Sequence, residues 1–268
     1  RKIVDPKKLK SFFVKKIKIK NKKLTSQINK ILIHLKKSKR PVIIIGGGIR
    51  ISKTNKELLY FLKNMNIPIV TTWSGVDAIT HNYKNYIGNI GVYGSRAANF
   101  VIQNSDFVLS LGSRLDTRIT GGVPKNFARG AVIASVDIDN HELNKKRGLE
   151  IKIKINQSLK EFFDYFKKIS KNTIIQKTEW MKKSILWKKK YPIVLDTYRN
   201  QKKYVNPYFF MERLSTYLEK DDVVIADDGA HLTWTIQALK VLKKQRLFSA
   251  FGNSPMGYAF PASIGASI

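Results

Sequence analysis

The feature that most constrains this chain is a repeated alternation of two patterns. Strand-sized runs of apolar, often β-branched residues lie at 42–45, 67–72, 107–111, 131–137 and 151–155. Between them, the stretches 55–64, 96–103 and 158–169 carry apolar residues at helical spacing. An earlier stretch, 24–37, does the same with Leu24, Ile28, Ile31, Leu32 and Leu35. A strand that is apolar on both sides needs cover on both sides. Helices between successive strands supply it when the strands run parallel. The expected fold class is therefore α/β, with a Rossmann-like parallel sheet over residues 21–170. Residues 1–20 are lysine-rich and read as a linker or the remnant of a preceding domain.

Residues 171–205 read as a helical connector that packs by Trp180, Trp187, Tyr191 and Tyr198. After Asn206-Pro207 a second alternation starts: helix 208–218, strand 222–226, a turn at 227–231, helix 234–239 and strand 248–250. A glycine-spaced turn at 252–257 and a small-residue helix at 260–267 follow. Residues 206–268 thus read as the opening of a second α/β unit. Arg1 stands first and an apolar run is cut at Ile268, so the expectation is a piece of a longer protein.

The 268 residues carry a net charge of +31. Such an excess raises a nucleic-acid binder as a reading. Here the lysines are spread over 7–23, 36–40, 182–190 and 240–246, without a zinc-finger, helix-turn-helix or aromatic RNA-binding signature. Solvated helix faces explain them better, and nucleic acid ranks second as a partner. No apolar run is long enough to span a bilayer, so no membrane partner is expected. The chain has no cysteine, which fits a reducing cytoplasm, the expected location.

Ligand-type residues cluster at the expected carboxyl ends of strands, where open parallel sheets bind. Gly46-Gly47-Gly48 follows the first strand, where a tight turn or a phosphate approach would each use glycine. The dinucleotide spacing GxGxxG is absent. Thr72-Trp73, Gly112-Ser113-Arg114 and Asp137 end later strands. Arg114, Asp116 and Arg118 alternate beyond one of them, where arginine can hold phosphate by paired hydrogen bonds. As a set these read as a nucleotide-shaped groove; singly, each is equally well a member of a salt-bridged loop. In the second unit, Gly229 and His231 sit in the turn Asp227-Asp228-Gly229-Ala230-His231, suited to a diphosphate or to a simple helix cap. Met256 stands among small residues, Gly257 included, as a cofactor contact or as core filler. His34, His81 and His141 are isolated and read as structural or exposed.

These motifs, in this order, resemble the acetolactate synthase type of thiamine-diphosphate enzymes. The stretch from Met256 to Ala266 and the turn at 227–231 with Trp234 look like that family's cofactor-domain signatures. Residues 88–118, with Gly91-Val92-Tyr93-Gly94, Ala97-Ala98-Asn99-Phe100 and the run 112–118, resemble its flavin-contacting stretch, and Asp137-Ile138-Asp139 a later strand end. The resemblance implies a middle domain plus the start of a diphosphate-binding domain. The activity implied is decarboxylation of a 2-keto acid substrate such as pyruvate and transfer of the two-carbon unit to a second carbonyl. It implies thiamine diphosphate, Mg2+ and a structural FAD as cofactors, and a homodimer or homotetramer. Gly229, His231, Met256 and Gly257 fall on thiamine-diphosphate positions. Gly46, Gly47, Thr72, Trp73, Gly91, Val92, Gly112, Arg114, Asp116, Arg118 and Asp137 fall on flavin positions. The activating glutamate and the magnesium motif would lie outside residues 1–268, so this chain alone is expected to be inactive. Ser254-Pro255, Ala230 and Leu115-Asp116-Thr117 depart from the family pattern. They leave open a relative acting in surface-sugar biosynthesis or a non-catalytic nucleotide-binding remnant.

Overall fold

The computed structural model describes residue 5 and residues 21–170, 173–242 and 244–268. The expectation for residues 1–20 lies, apart from Asp5, outside the described residues. The strands among the described residues are β1 (Pro41–Ile45), β2 (Met65–Asn66), β3 (Ile69–Thr71), β4 (Tyr86–Asn89), β5 (Phe107–Leu111), β6 (Val132–Asp137), β7 (Ile153–Asn156), β8 (Ile175–Gln176), β9 (Val223–Ile225) and β10 (Arg246–Phe248).

Six of them form one parallel sheet in the order β4-β3-β1-β5-β6-β7. The chain starts at the centre, moves out through β3 to β4, then returns to lay down β5, β6 and β7 on the other side. This is the doubly wound α/β order, and its direction reverses between β1 and β5. Side chains alternate across the sheet as strand geometry requires. Ile43 and Ile45 of β1, with Phe107, Leu109 and Leu111 of β5, join the core under helices Leu24–Lys37, Asn55–Leu62 and Leu159–Ile169. Val42, Ile44 and Val108 join the opposite core, under helices Arg96–Gln103 and Thr178–Lys190. The connector helix is fixed by its aromatics: the buried Trp180 indole N–H donates to the Pro41 carbonyl at 3.0 Å, and Trp180 meets Trp187 edge-on at 5.7 Å.

β2 and β8 form a separate parallel pair of two residues each, and β9 and β10 a parallel pair of three. The β9–β10 pair belongs to the C-terminal part, whose Leu239, Val241 and Leu247 close over Val76. No described helix is long and apolar enough to cross a membrane.

The elements that differ from the sequence pattern include β2 and β8, which it did not mark, and three others. β4 at the sheet edge was not anticipated, because Tyr-Ile-Gly-Asn is short and has a glycine inside it. Helix Ala230–Ala238 starts within the turn rather than at residue 234, because Gly229 acts as its N-terminal flank. β10 sits two residues earlier than expected, drawn into register with β9.

Candidate functional site

The cleft at the switch between β1 and β5 is built by backbone contact. Gly46 N–H donates to Leu111 O at 2.9 Å and Gly48 N–H to Gly112 O at 3.0 Å. A Cβ on Gly46 would lie 2.1 Å from Gly112 O, and one on Gly48 2.8 Å from Gly112 Cα. Gly112 itself has φ +63°, a left-handed conformation that favours glycine. The glycine triplet therefore serves close approach of two strand ends. That packing leaves a cavity of about 640 Å3 above the carboxyl ends, within the range of cofactor pockets.

Its wall brings together Gly47, Thr72, Trp73, Gly112, Arg114, Asp116, Arg118 and Asp137. Three of the expected residues stand off it. Gly46 lies beneath the floor. Gly91 and Val92 back Arg118: a Cβ on Gly91 would lie 2.4 Å from Arg118 O, and Val92 N–H donates to that oxygen at 2.8 Å. Asp116 caps the short helix Thr117–Thr120 through Arg118 N–H at 3.0 Å and pairs with Arg114 Nε at 3.0 Å. Asp137 accepts from Asp139 N–H at 2.9 Å. Burial pushes its carboxyl above the usual range against that bond, and the charges of Asp139 and Glu142 add to the rise.

Trp73 is 6% exposed, and its buried indole N–H has no partner among the described residues. A buried polar group without a partner calls for explanation. The ring packs on Tyr93 at 5.4 Å and edge-on to Phe251 at 6.3 Å. The Arg118 guanidinium lies over it at 6.0 Å and donates to the Phe251 carbonyl and, at 3.3 Å, to Gly252 O. Phe251 also lines the cavity, so the C-terminal part supplies one of its walls.

In the C-terminal part, Asp227 ties two turns together. It accepts from Asp228 N–H at 2.8 Å, from Gly257 N–H at 2.9 Å and from Tyr258 N–H at 3.2 Å. Burial works against its charge, but these amides outweigh it and hold the carboxyl below the usual range. Asp227 thus brings Met256-Gly257 to the turn that carries Gly229 and His231. Gly257 has φ +85° and Gly229 φ +148°. Met256 is 86% exposed, and His231 is exposed as well, so neither lines a described cavity. A shallower hollow of about 440 Å3 is walled by Trp73 and Tyr93 on one side and by Asp228, Gly229, Ala230 and Trp234 on the other. Trp73 is the side chain common to both spaces.

Sequence reasoning missed what holds the two parts together. Asp77, 3% exposed, accepts from Arg50 Nε at 3.2 Å, Arg246 Nε at 2.8 Å and Leu247 N–H at 3.2 Å. His81 Nδ1 accepts from Val241 N–H at 3.3 Å while Nε2 lies 2.8 Å from Val76 O. An acceptor nitrogen on one side and a donor on the other fix a neutral ring. Burial is the chief reason its pKa drops to about 4. Gln237 Nε2 donates to Tyr93 O at 2.6 Å. No periodicity marks Asp77, Asp227 or Phe251; their partners lie far off in sequence.

Residues 28–164 match the family described as thiamine pyrophosphate enzyme, central domain. The acetolactate synthase large subunit of Lactococcus lactis subsp. lactis (strain IL1403) is 30% identical over 254 residues, covering 90% of this chain and 41% of that protein. That of Cyanidium caldarium is 32% identical over 245 residues, covering 90% and 41%. A probable acetolactate synthase large subunit of Methanococcus aeolicus is 29% identical over 255 residues, covering 90% and 42%. The chain spans about two fifths of the length of these relatives. The family match takes in more than half of the 268 residues and coincides with the doubly wound sheet. The chain therefore belongs to the thiamine pyrophosphate enzymes and carries their central domain.

Proposed function

We propose that this chain serves a thiamine-diphosphate-dependent carboligase of the acetolactate synthase kind, which decarboxylates a 2-keto acid such as pyruvate and transfers the remaining unit to a second carbonyl. The observation that carries the reading is the junction at Trp73. There the strand-end cleft of the central domain and the glycine turn of the C-terminal part share one wall. The relatives' names point to the same chemistry.

Within this reading the larger cleft holds FAD in a structural role. The donor set fits such a ligand: glycine-floored backbone from Gly46 to Gly48 and at Gly112, guanidinium donors at Arg114, and the unpartnered Trp73 indole N–H. Thr72, Asp116 and Asp137 offer acceptors for hydroxyls. Arg118 is committed to the Phe251 and Gly252 carbonyls, so its role is to shape the wall. Gly91 and Val92 act through it. The smaller hollow takes thiamine diphosphate. Gly229 lets backbone approach the phosphates, His231 offers an imidazole donor, and Met256 with Gly257 stands beside that turn, its side chain uncovered. When bound, thiamine diphosphate supplies the carbanion chemistry. The chain's own part is to bind, orient and exclude water. Magnesium would be held by a motif outside residues 1–268, and among the described residues no three His, Asp or Glu side chains gather to hold a metal. A homodimer or homotetramer would cover the exposed Met256 and helix Ala259–Ser267. The cytoplasm is the proposed location, in keeping with the absence of cysteine.

The test is binding. Purified protein should retain flavin, and Arg114→Ala should lower flavin content without unfolding the chain. Thiamine diphosphate should change tryptophan fluorescence through Trp73 and Trp234, and Gly229→Val should abolish that change. Protein that takes up neither cofactor at saturating concentration would overturn the assignment. A second reading, a relative acting on surface sugars, stays open through the departures at Leu115-Asp116-Thr117 and Ser254-Pro255. Leu115 (φ +47°) and Ser254 (φ +48°), both within departures from the family pattern, hold left-handed backbone without being glycine. Such strain marks functional loops.

A further inference from the structure

A third cavity, of about 220 Å3, lies away from both cofactor clefts, where β4, the connector after helix Thr178–Lys190 and the C-terminal part meet. Its chemistry is uneven. Part of its lining offers hydrogen-bond donors. Asn89 is 2% exposed, and its Nδ2 has no partner among the described residues. Ser95, also buried, uses its Oγ to accept from Ala98 N–H at 3.2 Å, which leaves its hydroxyl proton free to give. The Lys188 ammonium reaches back to Tyr86 O at 2.6 Å, and no carboxylate lies within ion-pair distance of it among the described residues. Another part is apolar, formed by Ala97, Pro192, Ile193 and Val194.

The charges around the cavity are just as uneven. Glu212 is bound by Arg199 and by Lys240 at 2.9 Å. His81, on the wall, is held neutral by its two backbone bonds. Asp77 faces His81 but is taken up by Arg50 and Arg246. Lys188 therefore remains as an uncompensated positive charge beside Lys240. Crowding by neighbouring atoms, and then Lys240, lower its pKa, as expected of an ammonium that lacks a counter-charge.

We propose that this cavity binds a small free monocarboxylate with a short branched or unbranched apolar body. The carboxylate would lie between the Lys188 ammonium and the Asn89 amide, and the apolar body against Pro192–Val194. The volume lies below that of sites for drug-sized ligands, which limits the occupant to a few heavy atoms and excludes nucleotides. The Lys188 ammonium and the amide and hydroxyl donors of Asn89 and Ser95 match one carboxylate. The apolar part separates this ligand from inorganic anions. Because the wall includes Gln237, Ala238 and Lys240 as well as β4, occupancy would tie the C-terminal part to the central domain.

The experiment titrates the full 268-residue chain with acetate, propionate and isobutyrate, and with inorganic phosphate as a comparison. It follows the backbone amide resonances of residues 89 and 97, which line the cavity and are present in every variant. A saturable shift is expected that strengthens from acetate to isobutyrate, with phosphate weaker than all three. Asn89→Leu and Lys188→Met are each expected to weaken binding about tenfold or more, since a hydrogen bond to a charged group contributes about 1.5–3 kcal/mol. Arg114→Ala, in the other cleft, is expected to leave it unchanged. Three results would overturn the proposal: no saturable shift up to the order of 100 mM, a range that reaches well past millimolar affinity; equal binding of phosphate; or titrations that ignore both substitutions in variants whose amide spectra stay folded.

Discussion

Removing the Asp77 carboxylate tests how the two parts of the chain are joined. Its oxygens accept from two guanidinium groups and from the backbone N–H of Leu247 in β10. Leu247 is 2% exposed, so in Asp77→Ala its N–H loses its partner out of reach of bulk water, which costs about 1–3 kcal/mol. The guanidinium contacts add less than buried ion pairs would. The side chains of Arg50 and Arg246 are 26% and 47% exposed and can turn to solvent, which places each contact near the surface value of at most about 1 kcal/mol. The expected total is about 2–4 kcal/mol, felt where Val76 meets Leu239, Val241 and Leu247. Asp77→Asn keeps an acceptor for Leu247 and should lose about half as much. Hydrogen exchange is the assay of choice because it separates local from global opening. Amides of residues 239–248 should lose protection in Asp77→Ala by a factor of about 30 or more, the equivalent of 2 kcal/mol, while those of β1 and β5 keep theirs. Uniform loss across both regions would mean that Asp77 supports the whole fold. Unchanged exchange at 239–248 would mean that the junction does not depend on it.

Acid should loosen the same junction through His81. Its folded-state pKa of about 4 lies below the ordinary 6.5, so the unfolded chain binds more protons between those values. The neutral ring contributes stability that is full above pH 6.5 and is lost as pH falls towards 4. The difference is about 3 kcal/mol at most, and urea titrations of His81→Leu should show a flatter pH profile across that window. Gly46→Ala puts a Cβ 2.1 Å from a backbone oxygen and should cost about 3 kcal/mol or more. Gly130→Ala, whose nearest neighbour would be 3.9 Å away, should stay within about 0.5 kcal/mol in the same melts. Trp180→Phe removes the bond to the buried Pro41 carbonyl and should destabilise by about 1–3 kcal/mol, read as a lower urea midpoint.

The sheet was legible because its strands announce themselves. The PVIII and FVLSL runs have no polar face, and the helices between them carry apolar stripes, so period and length agree. β4 was not legible: it lies at the edge, holds a glycine, and has its place set by pairing with β3 across a register shift. The larger cleft was readable as a collection of strand ends, because every parallel strand delivers its last residue to the same edge. What each residue does there was not readable. Arg118 has the chemistry of a phosphate ligand, yet Phe251, 133 residues away, takes its donor. The turn at 227–231 reads as a helix cap or a diphosphate loop, yet its Asp227 carboxylate accepts from Gly257 and Tyr258 N–H. In each case a distant partner decides the role, and spacing along the chain carries no information about it.

One segment links these observations. The loop after β3 carries Thr72 into the larger cleft and Trp73 into both clefts and, within nine residues, Val76, Asp77 and His81 into the junction with the C-terminal part. Gly75 fixes it from below, since a Cβ there would lie 2.3 Å from Ile45 O of β1. A side chain that walls the cleft and one that clamps the junction thus share a short, backbone-locked stretch. Packed interiors pass small displacements on rather than absorb them. Any ligand that moves Trp73 must therefore work against Asp77, and substitutions at Asp77 should alter the affinity of ligands bound against Trp73 although that residue lines neither cleft.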